Sequence, residues 1–263
     1  MKNTSMYVIM HKDAATPKKE GYISLLVGGA IGNIAKSAIC RDDVGDNISE
    51  KNKSYCEMTG LYWIWKNDKE SRYIGISHYR RYFTDNYFSM SIESCLSAEK
   101  IEKLFNKYDV IVPRAAVYKD TILNSLNIAP NLDDMKAVEA AIKALYPEYL
   151  GDYKNFLNGN RYYPYNMLVM KREDFEKYCE WIFNILDHVE REYGNPYTDN
   201  YHSRLFGFLS ERLLYLWVNH NMEKSRIKEM KILFTEENIL RSNYHVLSNY
   251  IRDIRFKLRK KGK

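Results

Sequence analysis

The segment from Tyr73 to Phe83 joins a short apolar run to a group of cationic and aromatic side chains. Its first five residues, Tyr73 to Ser77, carry no charge and predict a buried strand. The next six are His78-Tyr-Arg-Arg-Tyr-Phe83. Ligands of open α/β sheets bind beyond the carboxyl ends of the strands, and arginine suits phosphate oxygens. The segment therefore indicates a site for the diphosphate of a nucleotide donor, or else a strand that leaves the core into a solvated basic turn.

The elements that would position this segment follow an α/β pattern. An apolar run at 6–10 predicts a first buried strand whose tip carries polar groups. An amphipathic helix is predicted at 54–66, where Ser54 and Glu57 fit a capping box. The strand described above follows this helix after a short loop, which is the order found in a βαβ unit.

The rest of the chain alternates in the same way. Further strands are predicted at 109–113, 162–170 and 228–234, and further helices at 99–108, 132–145, 173–192 and 204–219. The glycines at 28, 29 and 32 form no G-x-G-x-x-G motif and follow no clear strand, so they do not predict a Rossmann fingerprint. Gly60 inside the first helix indicates close packing, because glycine costs a helix about 1 kcal/mol relative to alanine.

The composition is that of a soluble globular protein. The chain has 263 residues, 45% of them apolar and 28% charged, which suits one large domain. Its 23 tyrosines give mild support to a carbohydrate or nucleotide ligand. Four cysteines without C-x-x-C spacing predict free thiols in a reducing cytoplasm. No signal peptide is recognised, and no apolar run reaches the ~20 residues of a membrane span.

The positive charge is concentrated at the C-terminus. The net charge is +6, and residues 251–263 hold seven Lys or Arg against one Asp, while the remainder is close to neutral. This distribution argues against a general nucleic-acid-binding surface. The tail also carries an apolar stripe at helical spacing: Leu247, Ile251, Ile254 and Leu258. The pattern predicts a helix that binds a membrane surface, or alternatively a solvated tail.

Several motifs resemble one bacterial family, catalogued as domain of unknown function 4422, whose members occur among capsule, O-antigen and exopolysaccharide genes. The resemblance covers roughly Tyr7 to Val218, in order. The motifs that carry it are Asp43-Val-Gly-Asp-Asn-Ile-Ser49, Tyr55-Cys-Glu57, Gly60-Leu-Tyr-Trp-Ile-Trp-Lys-Asn67, His78-Tyr-Arg-Arg-Tyr-Phe83, Tyr165-Asn-Met167, Tyr178-Cys-Glu-Trp181 and Arg204-Leu-Phe-Gly-Phe-Leu-Ser-Glu-Arg-Leu213.

The resemblance implies glycosyl transfer from a nucleotide sugar, since some relatives, placed in glycosyltransferase family 111, use UDP-galactofuranose. The implied fold is a GT-A-like nucleotide-binding αβα sandwich with a mostly parallel mixed sheet and a helical C-terminal part. Residues 1–234 would form this domain, with a donor half at about 1–115 and an acceptor half at about 116–234, followed by a basic amphipathic segment at 235–263.

The acceptor implied by such pathways is a polyprenyl-diphosphate-linked glycan. An enzyme that uses it would lie in the cytoplasm, peripheral on the inner face of the plasma membrane. The alternative class is a non-catalytic subunit that binds glycan or nucleotide within a polysaccharide assembly complex. Nucleic acid is not an expected partner.

Metal-dependent GT-A enzymes usually hold Mg²⁺ or Mn²⁺ with an Asp-x-Asp motif, which this sequence lacks. We expect Arg80 and Arg81 to neutralise the diphosphate instead, with His78 donating to the leaving group or the sugar. Adjacent residues of an extended chain face opposite sides, so one arginine would contact the diphosphate and the other an acidic partner. A metal site stays open as an alternative through the acidic residues Asp42, Asp43 and Asp46.

An inverting transfer needs a general base, and Glu211 resembles the base position of inverting GT-A enzymes. The neighbouring Gly207 would leave space for the acceptor sugar. The alternative is a surface glutamate paired with Arg212 or Arg204. Asp199, in the preceding loop, is the reserve base, and Asp199 and Arg204 are the predicted acceptor contacts.

Five other residues are predicted to contact the donor. His11 and Lys12 would meet the uracil or a phosphate. Asp46 and Asn47 would bind ribose or sugar hydroxyls, and Asn166 would reach the sugar. Each has a structural alternative, because His and Lys at strand ends are commonly solvated and Asp and Asn commonly form turns.

Overall fold

The computed structural model describes residues 3–126, 130–237 and 239–261, with the backbone alone at 239–243, 245–246 and 260–261. Each predicted strand and helix has a counterpart, but the strand predicted at 162–170 is interrupted at 163–167, and the strand at 22–26 and the helix at 150–157 were not predicted. The strands are β1 (Thr4–Met10), β2 (Tyr22–Leu26), β3 (Cys40–Arg41), β4 (Tyr73–His78), β5 (Arg81–Thr84), β6 (Val110–Pro113), β7 (Ala116–Val117), β8 (Arg161–Tyr162), β9 (Leu168–Lys171) and β10 (Ile227–Phe234). The helices are α1 (Asn52–Tyr55), α2 (Met58–Asn67), α3 (Ala98–Leu104), α4 (Leu132–Leu145), α5 (Leu150–Leu157), α6 (Arg172–Glu192), α7 (Leu205–Asn221) and α8 (Ile239–Lys261).

The N-terminal strands form the parallel part of the main sheet, in the order β3-β2-β1-β4. All seven residues of β1 are buried, because helices and other strands cover both faces of the sheet. The carboxyl ends of β1, β2 and β4 therefore lie side by side, and Met10, Leu26 and His78 mark that edge.

The second part of the sheet closes on itself. β4 pairs antiparallel with β9, β9 with β6, β6 parallel with β10, and β10 antiparallel with β5. β5 returns to β4 through a tight hairpin in which His78 faces Arg81. The C-terminal strand β10 thus completes the sheet beside the cationic segment, and its Phe234 is the register partner of Arg81.

The two larger apolar clusters of the described residues lie on the two faces of the sheet. The larger is built by α2, α4, α6 and α7 against one face of β1, β2 and β4. The smaller is built by α3, β5 and β10 against the other face. This layered arrangement confirms the predicted mixed α/β sandwich.

The predicted capping box at Ser54 is wrong. Ser54 lies inside the one-turn helix α1, where its hydroxyl donates to the Lys51 carbonyl at 3.2 Å. Cys56 then takes φ 53°, which interrupts the helix, and α2 begins at Met58. The side chain of Glu57 makes no cap and accepts a hydrogen bond from Asn166 instead, at 2.7 Å.

The glycines after residue 27 do follow a strand, contrary to the sequence interpretation. They come directly after β2, where Gly28 and Gly32 take φ values of 70° and 93° that favour glycine. The N–H groups of Gly28 and Gly29 donate to the buried carboxylate of Asp42, at 3.0 and 3.2 Å. A buried acid, and not a phosphate, is therefore the partner of these backbone donors.

The close packing predicted at Gly60 is confirmed. A Cβ atom at this position would lie 2.7 Å from Cδ1 of Ile9 and 2.8 Å from Cγ1 of Val27, both in the core. We expect Gly60→Ala to lower the free energy of unfolding by about 1–2 kcal/mol, because overpacking outweighs the gain in helix propensity. Urea unfolding measures the change.

Gly151 provides the matched control for this substitution. It is exposed in α5, and an added Cβ would meet nothing within 4 Å. Gly151→Ala is expected to raise the free energy of unfolding by up to about 1 kcal/mol through helix propensity alone. If both variants were equally stabilised, the close approach of α2 to the sheet would be disproved.

The basic C-terminal segment forms a helix, as predicted. α8 runs from Ile239 to Lys261 and packs against β7 and β10, and the Arg252 guanidinium donates to the Val117 carbonyl at 3.4 Å. The residues of the predicted stripe, Leu247, Ile251, Ile254 and Leu258, are exposed. In the part of the chain that the structure describes, no helix is long and apolar enough to cross a membrane.

Candidate functional site

Tyr165 connects two polar side chains that come from different elements. Nε2 of His78, at the end of β4, lies 2.7 Å from the Tyr165 carbonyl oxygen. The Tyr165 N–H donates to Oε1 of Glu211 on α7, at 2.9 Å. One residue thus links the carboxyl end of β4 to the carboxylate that the sequence proposes as general base.

Asn166 ties a second carboxylate into the same group. Its side-chain amide donates to Glu57 Oε1 at 2.7 Å and to the Gly207 carbonyl at 3.1 Å. Its Oδ1 is buried and has no hydrogen-bond partner among the described residues. An unpaired buried acceptor costs free energy, so this atom favours a ligand with a hydroxyl or N–H group at this point.

Backbone strain is concentrated around this group. Cys56, Tyr165 and Asn166 are the non-glycine residues with positive φ in the described chain, at 53°, 74° and 51°. Such conformations cost of order 1 kcal/mol or more and cluster at functional sites. All three contact the same group of side chains, since Cys56 lies against Arg204 and Gly207. The strain therefore points to this cleft as the functional site.

The carboxyl group of Glu211 has a pKa raised to about 7. Burial is the main cause, and the negative charge of Glu57 adds to it. The Arg212 guanidinium, the Tyr165 N–H and the Arg81 guanidinium act in the opposite direction. A carboxylate with a pKa near neutrality is suited to take a proton at physiological pH.

The imidazole of His78 has a pKa below its usual value. Burial lowers it, and the Arg81 and Arg204 cations lower it further, against the Glu57 carboxylate and the Tyr165 carbonyl. The neutral ring donates Nε2–H to that carbonyl, so its Nδ1 is an acceptor. In this arrangement His78 orients Tyr165, and donation to a leaving group would require the disfavoured imidazolium.

The two arginines of the cationic segment diverge, as the extended chain predicts. Arg80 pairs with Glu236 at 2.8 Å and covers the Tyr79 ring at 4.7 Å. Arg81 lies over the Tyr165 ring at 4.6 Å, and its buried Nε has no hydrogen-bond partner among the described residues. Arg81 is therefore the arginine on the side of Glu211.

His11 and Arg204 line the other side of the cleft. The His11 ring meets the Tyr79 ring edge-on, with centroids 5.4 Å apart. Burial lowers the pKa of His11, and the cations Lys12, Arg80 and Arg204 lower it further. Arg204 Nε lies 3.2 Å from the Cys56 sulfur. The ends of β1 and β4 and the start of α7 thus bring several predicted binding residues together.

Three predicted contacts lie outside this cleft. The Asp46 carboxylate accepts a hydrogen bond from the Tyr62 hydroxyl, and the Asp46 carbonyl accepts one from the Asn67 side chain. Asp46 therefore lies at the opposite end of α2 from Glu57. Asn47 bonds within its own turn. The Asp199 carboxylate, likewise, accepts from the N–H groups of two residues that follow it in the loop before α7.

The aspartates that the sequence offers as metal ligands form hydrogen bonds or ion pairs with other groups of the protein. Asp42 is fully buried and accepts from Gly28, Gly29, Ser49 and Thr59, with the two hydroxyls at 2.5 and 2.7 Å. Asp43 forms a two-contact pair with Arg41, at 3.0 and 2.7 Å. The acidic residues of this turn therefore hold the fold together and do not present a free carboxylate pair to a metal ion.

The role predicted for Gly207 is wrong. A Cβ atom there would lie 3.2 Å from both Cβ and Sγ of Cys56, so the glycine permits α7 to approach the junction of α1 and α2. It leaves no room for an acceptor sugar. The same contact brings Arg204, the residue that precedes α7, next to Cys56.

The sequence interpretation missed Glu57 and Tyr165 as members of the site. The capping-box pattern assigned Glu57 to a helix start, although its motif Tyr55-Cys-Glu57 already resembled the family. Tyr165 falls inside the strand predicted at 162–170, because a positive φ at tyrosine has no local sequence signal. Only the fold brings both to Glu211.

Two comparisons with known proteins agree with this architecture. Residues 5–222 match the model of a family described as a domain of unknown function, DUF4422. The structure resembles the apo structure of the WbbM bifunctional glycosyltransferase, with a TM-score of 0.80 and 28% sequence identity. The match covers 90% of this chain and 46% of that chain, so the chain spans about half the length of WbbM.

No curated protein matches the chain. The likeness to WbbM confirms the glycosyltransferase-type α/β fold, including its helical C-terminal part. Because the family model covers most of the sequence, this protein belongs to the DUF4422 family.

Proposed function

We propose that this protein is an inverting glycosyltransferase that uses a nucleotide sugar. The observation that carries the proposal is the cleft in which Glu57, His78, Arg81 and Glu211 meet around the strained Tyr165 and Asn166. This cleft lies beyond the carboxyl ends of β1 and β4, where α/β sheets bind ligands. The similarity to a bifunctional glycosyltransferase supports the same reaction class.

The donor would lie across the ends of β1 and β4. His11 and Lys12 would meet the nucleotide. Arg81, whose buried Nε has no hydrogen-bond partner among the described residues, would contact the diphosphate, while Arg80 is paired with Glu236. Fixed guanidinium groups stabilise the negative charge that develops on the departing diphosphate. Asn166, with its unpaired Oδ1, would accept a hydrogen bond from a sugar hydroxyl.

The acceptor would enter beside the start of α7, where Arg204 lies against Cys56. Glu211 takes the proton from the acceptor hydroxyl as its oxygen attacks the anomeric carbon, and the nucleoside diphosphate leaves with the electrons of the broken bond. The raised pKa of Glu211 matches this task. His78 holds Tyr165, whose N–H orients the base.

The sugar and its acceptor are proposed from the family. UDP-galactofuranose would be the donor and a polyprenyl-diphosphate-linked glycan the acceptor, in capsule, O-antigen or exopolysaccharide synthesis. The exposed apolar stripe and the basic residues of α8 support contact with a membrane surface, since anionic lipid attracts such helices. The protein would then act at the cytoplasmic face of the membrane.

The test is a panel of UDP-, GDP-, dTDP- and CMP-sugars, with UDP-galactofuranose included. We expect the UDP-sugars alone to raise the melting temperature and to release UDP slowly in the presence of the protein. Because the Arg81 guanidinium would take the place of a metal ion, we expect UDP release to continue in EDTA. Nucleotide binding without any release, with and without candidate acceptors, would favour a non-catalytic binding subunit.

A further inference from the structure

Two acceptor oxygens in the cleft have no hydrogen-bond partner among the described residues. One is Oδ1 of Asn166, a residue that is 2% exposed. The other is Oε2 of Glu57, because the hydrogen bond that this carboxylate accepts goes to its Oε1, at 2.7 Å. The Asn166 oxygen is buried, whereas the half-buried Glu57 leaves its Oε2 open to solvent. The described chain thus leaves two acceptors at this point for a ligand.

The orientation of the Asn166 amide is fixed by its two N–H donors. One donates to the Glu57 carboxylate, and the other donates to the Gly207 carbonyl at 3.1 Å. Both partners are acceptors only, so an inverted amide would place its oxygen against two other oxygens. The position of Asn166 Oδ1 is therefore set by α7 and by the residue that precedes α2.

Backbone strain falls on or next to the two residues that carry these oxygens. Cys56, which precedes Glu57, and Asn166 itself take φ values of 53° and 51°. Glu57 occupies the N-cap position of α2, yet its side chain makes no cap and is held by Asn166 instead. Strained backbone of this kind clusters at ligand-binding sites. The strain thus supports a binding role for this pair of side chains.

The two oxygens adjoin the groups proposed for the diphosphate and for the general base. Tyr165, the neighbour of Asn166 in sequence, lies under the Arg81 guanidinium, at 4.6 Å. Its N–H donates to Glu211 at 2.9 Å, and the charge of Glu57 also acts on the Glu211 carboxyl group. The transferred sugar has to lie between the departing diphosphate and the base. Its hydroxyls are therefore the donors that the two free oxygens would meet.

The spacing of the two oxygens suits one sugar ring. The groups that carry them are joined by a hydrogen bond of 2.7 Å, so the oxygens lie no more than about 7 Å apart. Each O–H···O bond spans about 2.7 Å, and two adjacent ring hydroxyls can bridge the remaining distance. Carboxylate and amide oxygens only accept, which suits hydroxyl donors and disfavours an anionic ligand at this point.

We propose that Glu57 and Asn166 bind two neighbouring hydroxyls of the transferred sugar and so select the sugar of the donor. This inference rests on the proposed function and gives Glu57 a role in it. Glu57 would make the stronger contact, because hydrogen bonds to a charged group are stronger than those between neutral groups. A donor whose sugar lacks a matching hydroxyl would leave an acceptor without a partner and would be rejected.

Calorimetry of the full chain at pH 8, without acceptor, tests the proposal. The probes are UDP, UDP-galactofuranose, UDP-galactose and UDP-glucose. We expect Glu57→Gln to weaken the tightest-binding UDP-sugar at least tenfold and not to weaken UDP. The glutamine oxygen can still accept from the Asn166 amide, but an NH₂ group replaces Oε2. Glu50→Gln, at an exposed position before α1, is the matched control and should change neither affinity.

Analogues of that UDP-sugar, each lacking one ring hydroxyl, test for the direct contact. One analogue should bind the wild type at least tenfold more weakly than the parent sugar does. The same analogue should bind Glu57→Gln about as tightly as the parent does, because the partner of the missing hydroxyl is already gone. Such non-additivity is expected only of groups that interact.

Three results would each overturn the proposal. The first is equal UDP-sugar affinity in the wild type and Glu57→Gln. The second is a parallel loss of affinity for UDP and for the UDP-sugar, which indicates a structural role of Glu57. The third is a set of analogues whose losses all add to that of Glu57→Gln. All three leave the proposed function intact, whereas a protein that binds none of the probes would contradict that function and this inference with it.

Discussion

Glu211→Gln is expected to lower the turnover number about 10²- to 10⁴-fold, the usual contribution of a general base. The amide oxygen can still accept from the Tyr165 N–H, so the local fold should survive. UDP affinity should therefore change little. Steady-state UDP release and calorimetric UDP binding measure the two quantities on the same preparation. Glu180→Gln, at an exposed position on α6, is the control and should leave both unchanged.

The pH dependence gives an independent check on the role of Glu211. Its pKa of about 7 means that the carboxylate form predominates only above neutrality. We therefore expect kcat/KM of the wild type to rise through pH 7 and level off above it. The residual activity of Glu211→Gln should not show this rise, because the amide does not titrate there.

As the pH rises through 7, the stability of the folded protein should fall while its activity rises. A buried carboxyl group whose pKa is raised from 4.5 destabilises the folded state where it is ionised, above pH 7, and not below about 4.5. Glu211→Gln should then stabilise the protein by up to about 3 kcal/mol at pH 8 and by little at pH 4.5. Thermal unfolding at the two pH values measures the difference. Near-normal turnover of Glu211→Gln would exclude Glu211 as the general base. A variant that is less stable than the wild type at pH 8 would contradict the raised pKa on which that role depends.

Much of the fold was predictable because burial leaves a direct trace in the sequence. The apolar runs at β1, β4 and β6 are strands that are covered on both faces. The long helix α6 was predicted from its regular apolar stripe, which packs on α4 and α2. β10 was predicted as a strand, yet its place between β5 and β6 depends on non-local pairing, which a local pattern does not encode.

The sequence predicted most residues of the site, but not the hydrogen bonds that link them. Glu211, His78 and Asn166 were all proposed from the sequence, and the structure brings them together. What links them is the backbone of Tyr165, held at φ 74° by contacts on both sides. The capping-box pattern at Ser54 failed for a similar reason, since the strained Cys56 stops the helix where tertiary contacts with α7 require it.

Asp42 and Asp43, in the loop after β3, can each be interpreted as a metal ligand or as a residue that stabilises the fold. Asp42 and Asp43 were both candidates for a metal site, yet only Asp42 is buried. Its carboxylate joins the turn after β2 to Ser49, at the beginning of the helical segment, and to Thr59 in α2. We therefore expect substitutions of these two neighbouring residues to have different effects on the stability of the protein.

Asp42→Asn is expected to lower the free energy of unfolding by about 3 kcal/mol or more. Four donors converge on the carboxylate, and an amide NH₂ in place of one oxygen leaves some of the two N–H and two hydroxyl groups unsatisfied. Asp43→Asn, which removes only a surface pair with Arg41, should cost no more than about 1 kcal/mol. Urea unfolding of both variants measures the contrast. If Asp42 were instead a metal ligand, the free energy of unfolding measured in EDTA would be the same for Asp42→Asn as for the wild type. The activity of the variant would also fail to recover when Mg²⁺ or Mn²⁺ is added.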